Sequence, residues 1–598
     1  MNSTDILIRM ETVIQEIINN SYTSKSCHGP FKTWDDMYHS FREVLKLELA
    51  IMMKSRSQSV TTRHEDILFW IQSLQEYAIG LRKMNTYLLV SKKDTSIVSG
   101  FRKNDIQYVC DLLPFRRMFE TLHYKQPLQL SVFLGKKSLS RKRLKKTKFQ
   151  SSLNPSQCKC IEGLTSVGHS RVSVVNGPPG TGKTRVLIEA IRILLESNNE
   201  YKHPLLVTSE CNTTIKKMVF EILKTVKEFN FVVVGSEEQV HPELYPYLLH
   251  KRISAFKKCI EQLFSSKSGY TDELIKELKT YSWTSHIINA MNNEDTLTNE
   301  ELIFDLVSDT KSFDYYKVRK LLPSNLLKST IENWIFDNTD IVFCTLCQCG
   351  SHTIRKRKFK TVIIDEAAHS IVPKILNAVS SSTEHLILAG DIKQCDPLVM
   401  STKARDAGLN VSLIERVLGV QTKYHYFLNI QYRMASSISK FPLTEIYDNK
   451  VKNGVKTKGS YQVMDVRGQE VRVGTSYQNE KEVDTVIDWL CTISEKVVIL
   501  TPYIGQVKLF KMKLRHMSLL DRCTVCTIDK FQGEEADVVA ISLVRTKRAG
   551  FIRDFKRLNV ALTRAKHKEI IVGHRPALSK KVPLLKKLFD DTTTCVIK

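Results

Sequence analysis

Residues 177–184 read Gly-Pro-Pro-Gly-Thr-Gly-Lys-Thr and match the phosphate-binding P-loop pattern at every position. The β-branched run Val172–Val175 precedes this stretch, and apolar residues at helical spacing follow it from Val186 onward. The glycines leave room for backbone N–H groups to wrap phosphates at a helix N-terminus, where the helix dipole favours anions. The stretch therefore predicts a strand, a phosphate-binding loop and a helix, as in a parallel α/β sheet.

The last five residues of this loop carry the expected chemistry. Gly180, Thr181 and Gly182 would surround the phosphates with backbone amides. Lys183 would neutralise the β and γ phosphates, and the Thr184 hydroxyl would bind Mg²⁺. The loop therefore predicts a nucleoside triphosphate and Mg²⁺ as ligands.

A P-loop needs an acidic partner at the end of another strand, and the run Val362–Ile364 leads into one. Asp365 would bind Mg²⁺ through water, and Glu366 would act as the base that polarises the attacking water. An Asp-Glu pair can also cap a helix and do nothing else. The presence of a P-loop in the same chain favours the catalytic interpretation.

Around these motifs, short β-branched runs alternate with helical patterns, which predicts parallel sheets flanked by helices. Two successive series of strands predict a first α/β domain over residues 151–424 and a second over 425–598. A Lys-, Glu- and Asn-rich stretch at about 236–337 is interpreted as a helical subdomain inserted in the first domain. Residues 1–150 are predicted to be a helical accessory region with a basic tail at 136–148, which would be a nuclear address, a phosphate-binding strip or a solvated linker.

Composition narrows the choice of partner. The 598 residues include 89 Lys and Arg against 63 Asp and Glu, so the formal charge is +26. A polyanion is therefore expected, with nucleic acid the first candidate and an anionic membrane surface the second. No apolar run approaches the ~20 residues that span a bilayer, and the first residues lack the pattern of a signal peptide. We expect no membrane insertion, an intracellular location in cytoplasm, nucleus or both, and free thiols for the 14 cysteines.

Further blocks follow in a fixed order between residue 153 and about residue 573. They include Leu-Asn-Pro-Ser-Gln at 153–157, Gly-Asp-Ile-Lys-Gln at 390–394, Gln-Tyr-Arg-Met at 431–434, Phe-Gln-Gly-Glu-Glu-Ala-Asp at 531–537 and Arg-Leu-Asn-Val-Ala-Leu-Thr-Arg-Ala-Lys at 557–566. This series resembles superfamily 1 helicases, in particular the up-frameshift and senataxin-like group known as superfamily 1B. The resemblance implies an α/β fold with two tandem RecA-like P-loop domains, and ATP hydrolysis coupled to nucleic-acid unwinding.

The resemblance also assigns roles around the base of ATP. Gln157 would read the edge of the adenine, and Tyr432 would stack on its face. Gly533 and Glu535 would contact the nucleotide from the second domain.

At the γ-phosphate, the resemblance assigns one role to the first domain and two to the second. Gln394 would sense the phosphate, Arg433 would reach it, and Arg564 would be the arginine finger. Together with Lys183 and Glu366, these are the expected catalytic residues.

The nucleic-acid contacts implied by the resemblance are Asn212, Thr345 and Thr501, which would grip phosphates without reading sequence. Tyr503 would stack on a base or, equally, pack in the core. The resemblance implies movement from 5′ to 3′ along a single strand of RNA or DNA. RNA is slightly favoured, because the residues of the motifs look closest to those of the RNA-acting members. We expect a monomer, with residues 1–150 available for protein partners.

Two departures from the family pattern keep an alternative open. His369 stands where the family usually has Gln, and Cys395-Asp396 replaces an apolar residue and Pro. The alternative is a nucleic-acid-stimulated ATPase that acts as a clamp or scaffold and separates no strands. A nucleotide kinase would have no use for the arginine-rich block at 557–566.

Four residues near one another are also weighed as a zinc site: Cys344, Cys347, Cys349 and His352. Their spacing is tighter than that of usual zinc-finger pairs, and Cys344 belongs to an expected strand. Simple thiols are the favoured interpretation.

Overall fold

The computed structural model describes single positions between 10 and 31, residues 33–53, four strands between 66 and 111, and residues 112–124, 152–166, 171–196, 204–226, 229–255, 325–420, 423–591 and 595–597. The basic tail at 136–148 and the larger part of the predicted insertion at 236–337 lie outside the described residues.

The N-terminal region combines two helices with a four-stranded antiparallel sheet of order β3-β2-β1-β4. Its elements are α1 (Trp34–Met53), β1 (Asp66–Ile71), β2 (Glu76–Lys83), β3 (Thr86–Val90), β4 (Ile106–Asp111) and α2 (Leu113–Tyr124). The prediction of a helical region is wrong for these strands, whose short runs of aromatic and β-branched residues favour a sheet. Both helices pack into the same hydrophobic core as the first α/β domain.

The first α/β domain is built on a seven-stranded sheet of order β11-β5-β10-β9-β6-β8-β7, in which every pairing is parallel. In chain order its elements are α3 (Pro155–Thr165), β5 (Arg171–Asn176), α4 (Lys183–Glu196), β6 (Leu205–Ser209), α5 (Asn212–Thr225), β7 (Phe231–Val234), α6 (Asn325–Asp337), β8 (Ile341–Thr345), α7 (Leu346–Cys349), α8 (His352–Arg355), β9 (Thr361–Asp365), α9 (Val372–Leu376), β10 (His385–Gly390), α10 (Thr402–Asp406), α11 (Leu413–Val420) and β11 (His425–Phe427).

The central strands β5, β6, β9 and β10 are buried along their whole length, which explains their near-continuous apolar sequences. Carboxyl ends of parallel strands meet at one edge of a sheet. The P-loop after β5, Asp365 at the end of β9 and Asp391 after β10 are therefore brought to the same edge.

The second α/β domain has a six-stranded sheet of order β18-β17-β19-β20-β14-β21, also parallel throughout. Its elements and those of the connection to it are β12 (Ile430–Gln431), α12 (Ser436–Glu445), β13 (Lys452–Asn453), β14 (Ser460–Val466), β15 (Val471–Val473), β16 (Ser476–Gln478), α13 (Glu480–Cys491), β17 (Val497–Thr501), α14 (Ile504–His516), β18 (Cys523–Thr527), β19 (Ala536–Ser542), α15 (Phe555–Leu562), β20 (Ala565–Gly573), α16 (Arg575–Ser579), α17 (Pro583–Asp591) and β21 (Cys595–Ile597). Two tandem parallel sheets flanked by helices confirm the expected fold class.

The connection between the domains runs over the P-loop. β11 pairs with β5, so the first sheet extends beyond residue 424, the boundary expected from sequence. After β11, the Leu428 N–H donates to Asn176 O at 3.0 Å, and the Tyr432 N–H donates to Gly180 O at 2.8 Å. The chain enters the second domain only after these two contacts.

Candidate active site

A cavity of about 800 Å³ lies between the two α/β domains. From the first domain it is lined by residues 178–184 of the P-loop, which include Lys183 and Thr184, and by Glu366 and Gln394. From the connection and the second domain it is lined by Tyr432, Arg433, Gly533, Glu535, Arg564 and Lys566. Most of the residues predicted to bind nucleotide are therefore brought together in one cleft.

The P-loop depends on two glycines in the left-handed region of backbone conformation, with φ of +72° at Gly180 and +83° at Gly182. A Cβ atom at Gly180 would lie 2.5 Å from Arg433 Cβ, so only glycine lets the connection between the domains come this close. The ammonium of Lys183 donates to Gly177 O at 2.7 Å, which holds its charge inside the loop.

The residues beside the loop suit a magnesium ion. The Thr184 hydroxyl lies 3.4 Å from Asp365 Oδ2, and the Asp365 side chain is buried. Burial and the neighbouring Glu366 raise the pKa of Asp365, so a cation here would stabilise its charged form. Hydroxyl and carboxylate oxygens next to a phosphate site are the ligands that Mg²⁺ prefers.

Glu366 has a backbone conformation that is unusual for a residue other than glycine. Its φ is +56°, in the left-handed region, and such strain is concentrated at functional sites. Burial alone would raise the pKa of Glu366, but Lys183 and His369 hold it below its usual range. Glu366 is therefore a carboxylate at neutral pH, as a general base must be.

Arg433 is aimed into the cleft by groups of the second domain. Its guanidinium forms an ion pair with Glu535 at 2.6 Å and donates to Thr563 O at 3.0 Å. Lys566 also pairs with Glu535, at 3.0 Å. Burial alone would raise the pKa of Glu535, but Arg433 and Lys566 lower it to about 2.

Arg564 links the second domain directly to the first. Its guanidinium donates to Gln394 Oε1 at 2.9 Å, and its other bonds are to two backbone carbonyls, Val560 O and Glu534 O. Burial and the neighbouring Arg433 lower the pKa of Arg564 to about 10, so it remains charged at neutral pH. Gln394 is in turn fixed by a bond to Asp391 Oδ2 at 3.1 Å.

The adenine end of the site differs from the expectation. Gln157 is 2% exposed, donates to Thr181 O at 3.1 Å and accepts from the Asn154 N–H at 3.0 Å. Its amide therefore supports the P-loop and caps α3, and Gln157 is not among the residues that line the cleft. Asn154 donates instead to Tyr432 Oη at 3.0 Å, and the Tyr432 ring is half exposed at the cleft.

A second link between the domains passes through His369. Its Nε2 lies 3.2 Å from Glu366 Oε2 and also contacts the Gln532 amide from the second domain. Its Nδ1 lies 2.6 Å from Cys395 O. The imidazole of His369, at the position where the family usually has Gln, thus lies between Glu366 and the second domain.

Sequence reasoning gave no role to Asn154, Gln532 or Lys566. The spacing of Asn154 and Gln157 is that of a helix-capping box, which was the available signal. Gln532 and Lys566 lie in the blocks at 531–537 and 557–566, but only the three-dimensional structure places them next to His369 and Glu535.

Two of the four expected nucleic-acid contacts are buried. Thr501, the last residue of β17, is fully buried. Tyr503 is 3% exposed, and its hydroxyl accepts from the Arg545 guanidinium at 3.1 Å. Tyr503 is thus the packed tyrosine that was considered as the alternative, because aromatic neighbours and Arg545 enclose its ring. Asn212 begins α5 and Thr345 ends β8, and both are partly exposed.

The zinc hypothesis is not supported. Cys344 Sγ and Cys349 Sγ lie 3.4 Å apart in the core, while Cys347 Sγ accepts from Arg117. In the part of the chain that the structure describes, no three His, Cys, Asp or Glu side chains are grouped to hold a metal ion. Within the same residues, every helix is too short or too polar to cross a membrane.

Two family models, each described as an AAA domain, match residues 152–402 and 409–576. An uncharacterized ATP-dependent helicase of Methanocaldococcus jannaschii is 27% identical over 534 residues, which cover 79% of this chain and 76% of that protein. The ATP-dependent helicase upf1 of Schizosaccharomyces pombe is 27% identical over 462 residues, covering 72% of this chain and 45% of that protein. Helicase sen1 of the same yeast is 26% identical over 515 residues, covering 73% of this chain and 30% of that protein. The chain thus spans less than half of either yeast protein.

Proposed function

Because this chain belongs to the Upf1- and Sen1-like group of superfamily 1 helicases, we propose that it is an ATP-dependent helicase or translocase acting on single-stranded nucleic acid. We further propose movement from 5′ to 3′ and a slight preference for RNA over DNA. Direction and preference rest on the resemblance of the motifs to those of family members.

One observation carries the proposal: Lys183 of the first domain and Arg433 and Arg564 on the side of the second line the same cleft. ATP bound there would hold the two domains together through its γ-phosphate. Hydrolysis would remove that bridge and let the domains separate. A strand gripped alternately by the two domains would then advance with each cycle.

The side chains divide the chemistry of hydrolysis among them. Glu366 would orient and polarise the attacking water. Lys183, Arg433 and Arg564 would stabilise the charge on the transferring phosphoryl group, which is the larger part of catalysis in this reaction. Thr184 and Asp365 would hold Mg²⁺, which supplies further charge neutralisation when bound.

The excess positive charge of the chain supports a nucleic-acid substrate. Binding that neutralises several phosphates releases counterions, and its affinity therefore falls steeply with salt. Eleven cysteines between Cys27 and Cys526 are free thiols, which fits action in a reducing compartment.

The second candidate function is a nucleic-acid-stimulated ATPase that clamps a strand without separating a duplex. His369 and Cys395-Asp396 motivate it, because they depart from the family pattern and because His369, which contacts both Glu366 and Gln532, would alter how hydrolysis is coupled to the second domain. The two candidates share the active site and differ only in strand displacement.

A strand-displacement assay tests both. Purified protein is incubated with ATP and duplexes that carry a 5′ or a 3′ overhang, in RNA and in DNA, with Lys183→Ala as the inactive control. ATP-dependent displacement restricted to the 5′ overhang and absent from the control is the expected result. ATPase activity that nucleic acid stimulates, without displacement of any substrate, would favour the clamp, and absence of both would reject the proposal.

A further inference from the structure

Four exposed apolar side chains lie on either side of one contact between the domains. Leu398 is 76% and Met400 59% exposed in the segment after β10, and Phe551 is 56% and Phe555 45% exposed just before and at the start of α15. Lys556 of the second domain forms an ion pair with Asp396 of the first. Each pair of apolar residues therefore stands within a few residues of the same bridge across the cleft.

The half of this surface on the first domain is held in place by a buried carboxylate. Glu48 of α1 accepts the Met400 N–H at 2.7 Å and the Ser401 N–H at 2.8 Å, and it is 7% exposed. A carboxylate removed from water and bonded to two amides fixes the backbone that it binds. The segment thus presents Leu398 and Met400 to solvent on a fixed backbone.

The half on the second domain is fixed as well. The Phe551 N–H donates to Tyr503 Oη at 3.3 Å, and the two ring centroids lie 5.5 Å apart. The guanidinium of Arg557 lies 5.3 Å from the centre of the Phe551 ring. Phe551 is thus held by three contacts while more than half of it stays exposed, so its ring is available to a ligand.

Charges next to these rings indicate the kind of ligand. Lys547, Arg548 and Arg553 flank Phe551 in sequence and are exposed. None of them lies within ion-pair distance of a described carboxylate. Aromatic rings beside unpaired cations fit a polyanion that carries flat apolar groups.

We propose that Leu398, Met400, Phe551 and Phe555 form a base-contact strip, on which the nucleobases of the bound single strand pack while Lys547, Arg548 and Arg553 hold its phosphates. The proposal rests on the proposed function and names the part of the substrate that this surface reads. Stacking tolerates every base, so the strip binds without sequence preference. Because its halves belong to different domains, closure of the cleft changes the spacing between them and hence the grip on the bases.

Fluorescence anisotropy with two labelled probes tests the strip: an oligouridylate, and a strand of the same length in which every base is removed. The variants are Phe551→Ala and Leu398→Ser for the strip, Arg553→Gln for the phosphate contacts, and Met517→Ser as a control at another half-exposed apolar residue. Melting temperatures, expected to be unchanged for these exposed positions, check that each variant folds.

The wild-type protein should bind the base-bearing strand more tightly than the abasic one. Phe551→Ala should weaken binding of the base-bearing strand about tenfold, which corresponds to the loss of one stacked base, and leave the abasic strand unchanged. Leu398→Ser should act in the same direction by a smaller factor, and Met517→Ser should have no effect. Arg553→Gln should weaken both probes equally and reduce the salt dependence of binding.

If Phe551→Ala lowered the affinity for both probes equally, or for neither, the base-contact strip would be overturned. An unchanged affinity for both probes would indicate that this surface binds a protein partner instead. A wild-type protein that binds neither probe at low salt would instead reject the proposed function itself. If the wild-type protein binds and displaces strands and Phe551→Ala does both equally well, the base-contact strip is rejected while the proposed function stands.

Discussion

The first α/β domain brings the P-loop with Lys183, and Glu366, to the cleft, whereas Arg433 and Arg564 reach it from the connection and the second domain. The first domain presents the carboxyl ends of β5, β9 and β10, where the P-loop leads into the N-terminus of α4. The second presents the segments that precede β19 and β20, and α15 ends there with its carbonyl groups. A helix N-terminus attracts phosphate, and a helix C-terminus repels it.

This difference explains why the second domain needs Arg564. The side chain donates to Val560 O, a carbonyl in the last turn of α15, and covers with a positive charge a helix end that would repel phosphate. In the proposed function, the two domains would therefore bind the same phosphates by different means. Neither half of the site would be sufficient alone, and hydrolysis would depend on closure of the cleft.

The largest expected effect comes from removing this charge. Arg564→Ala should lower kcat for ATP by about 10³-fold or more, as loss of an arginine finger does, while the P-loop keeps KM within a few-fold. Steady-state ATPase kinetics with saturating single strand measure both constants. A larger change in KM than in kcat would mean that the second domain serves mainly to bind ATP, and Arg564→Lys, which keeps the charge, controls for unfolding.

The role of the first domain is tested by substituting Glu366, its proposed general base. Glu366→Gln should lower kcat by about 10²- to 10⁴-fold, the usual contribution of a general base, and should leave binding of a non-hydrolysable ATP analogue intact. Isothermal titration with the analogue, beside the ATPase assay, separates the two. A variant that loses analogue binding to the same extent would show that Glu366 organises the loop and not the water.

Substitution of His369, which links the two domains, should have a smaller effect on ATP hydrolysis. His369→Gln restores the residue usual in the family, and an amide can keep one contact with Glu366 or Gln532 but not all three made by the imidazole. We expect a change of about tenfold or less in stimulation by single strand, with little change in the basal rate. Gln532→Ala should mimic it, and an equal change in the basal rate would place His369 in the chemistry itself.

The smallest effect concerns stability within the second domain. Burial raises the pKa of Glu482 to about 7 from 4.5, in a site where it bonds to Ser542 and the Val544 N–H. The folded state therefore retains a proton that the unfolded chain releases. Its stabilisation is complete below pH 4.5 and is lost as pH rises through 7.

Between pH 5.5 and 8 this loss amounts to about 2 kcal/mol. The melting temperature of the wild-type chain should fall relative to that of Glu482→Gln over this range, since the amide does not titrate. A constant difference between the two proteins would mean that Glu482 titrates normally.

The sequence alone located the candidate site of the first domain, because the P-loop and the Asp365-Glu366 pair are recognised by fixed residue types at fixed spacing. It was less informative where roles depend on packing. Gln157 is directed inward by a capping box, and Tyr503 is enclosed by Arg545 and its aromatic neighbours. The strands between 66 and 111 were missed because they pair with one another across loops, a relation that local periodicity does not encode.

The chain crosses from one domain to the other directly above the phosphates, where Leu428 and Tyr432 bond to the backbone at Asn176 and Gly180. In the proposed function, the point about which the two domains rotate would therefore lie beside the bound ATP. A small shift of the P-loop would then be magnified with distance from this point along both sheets. The outer surfaces would travel farther than the atoms at the phosphates.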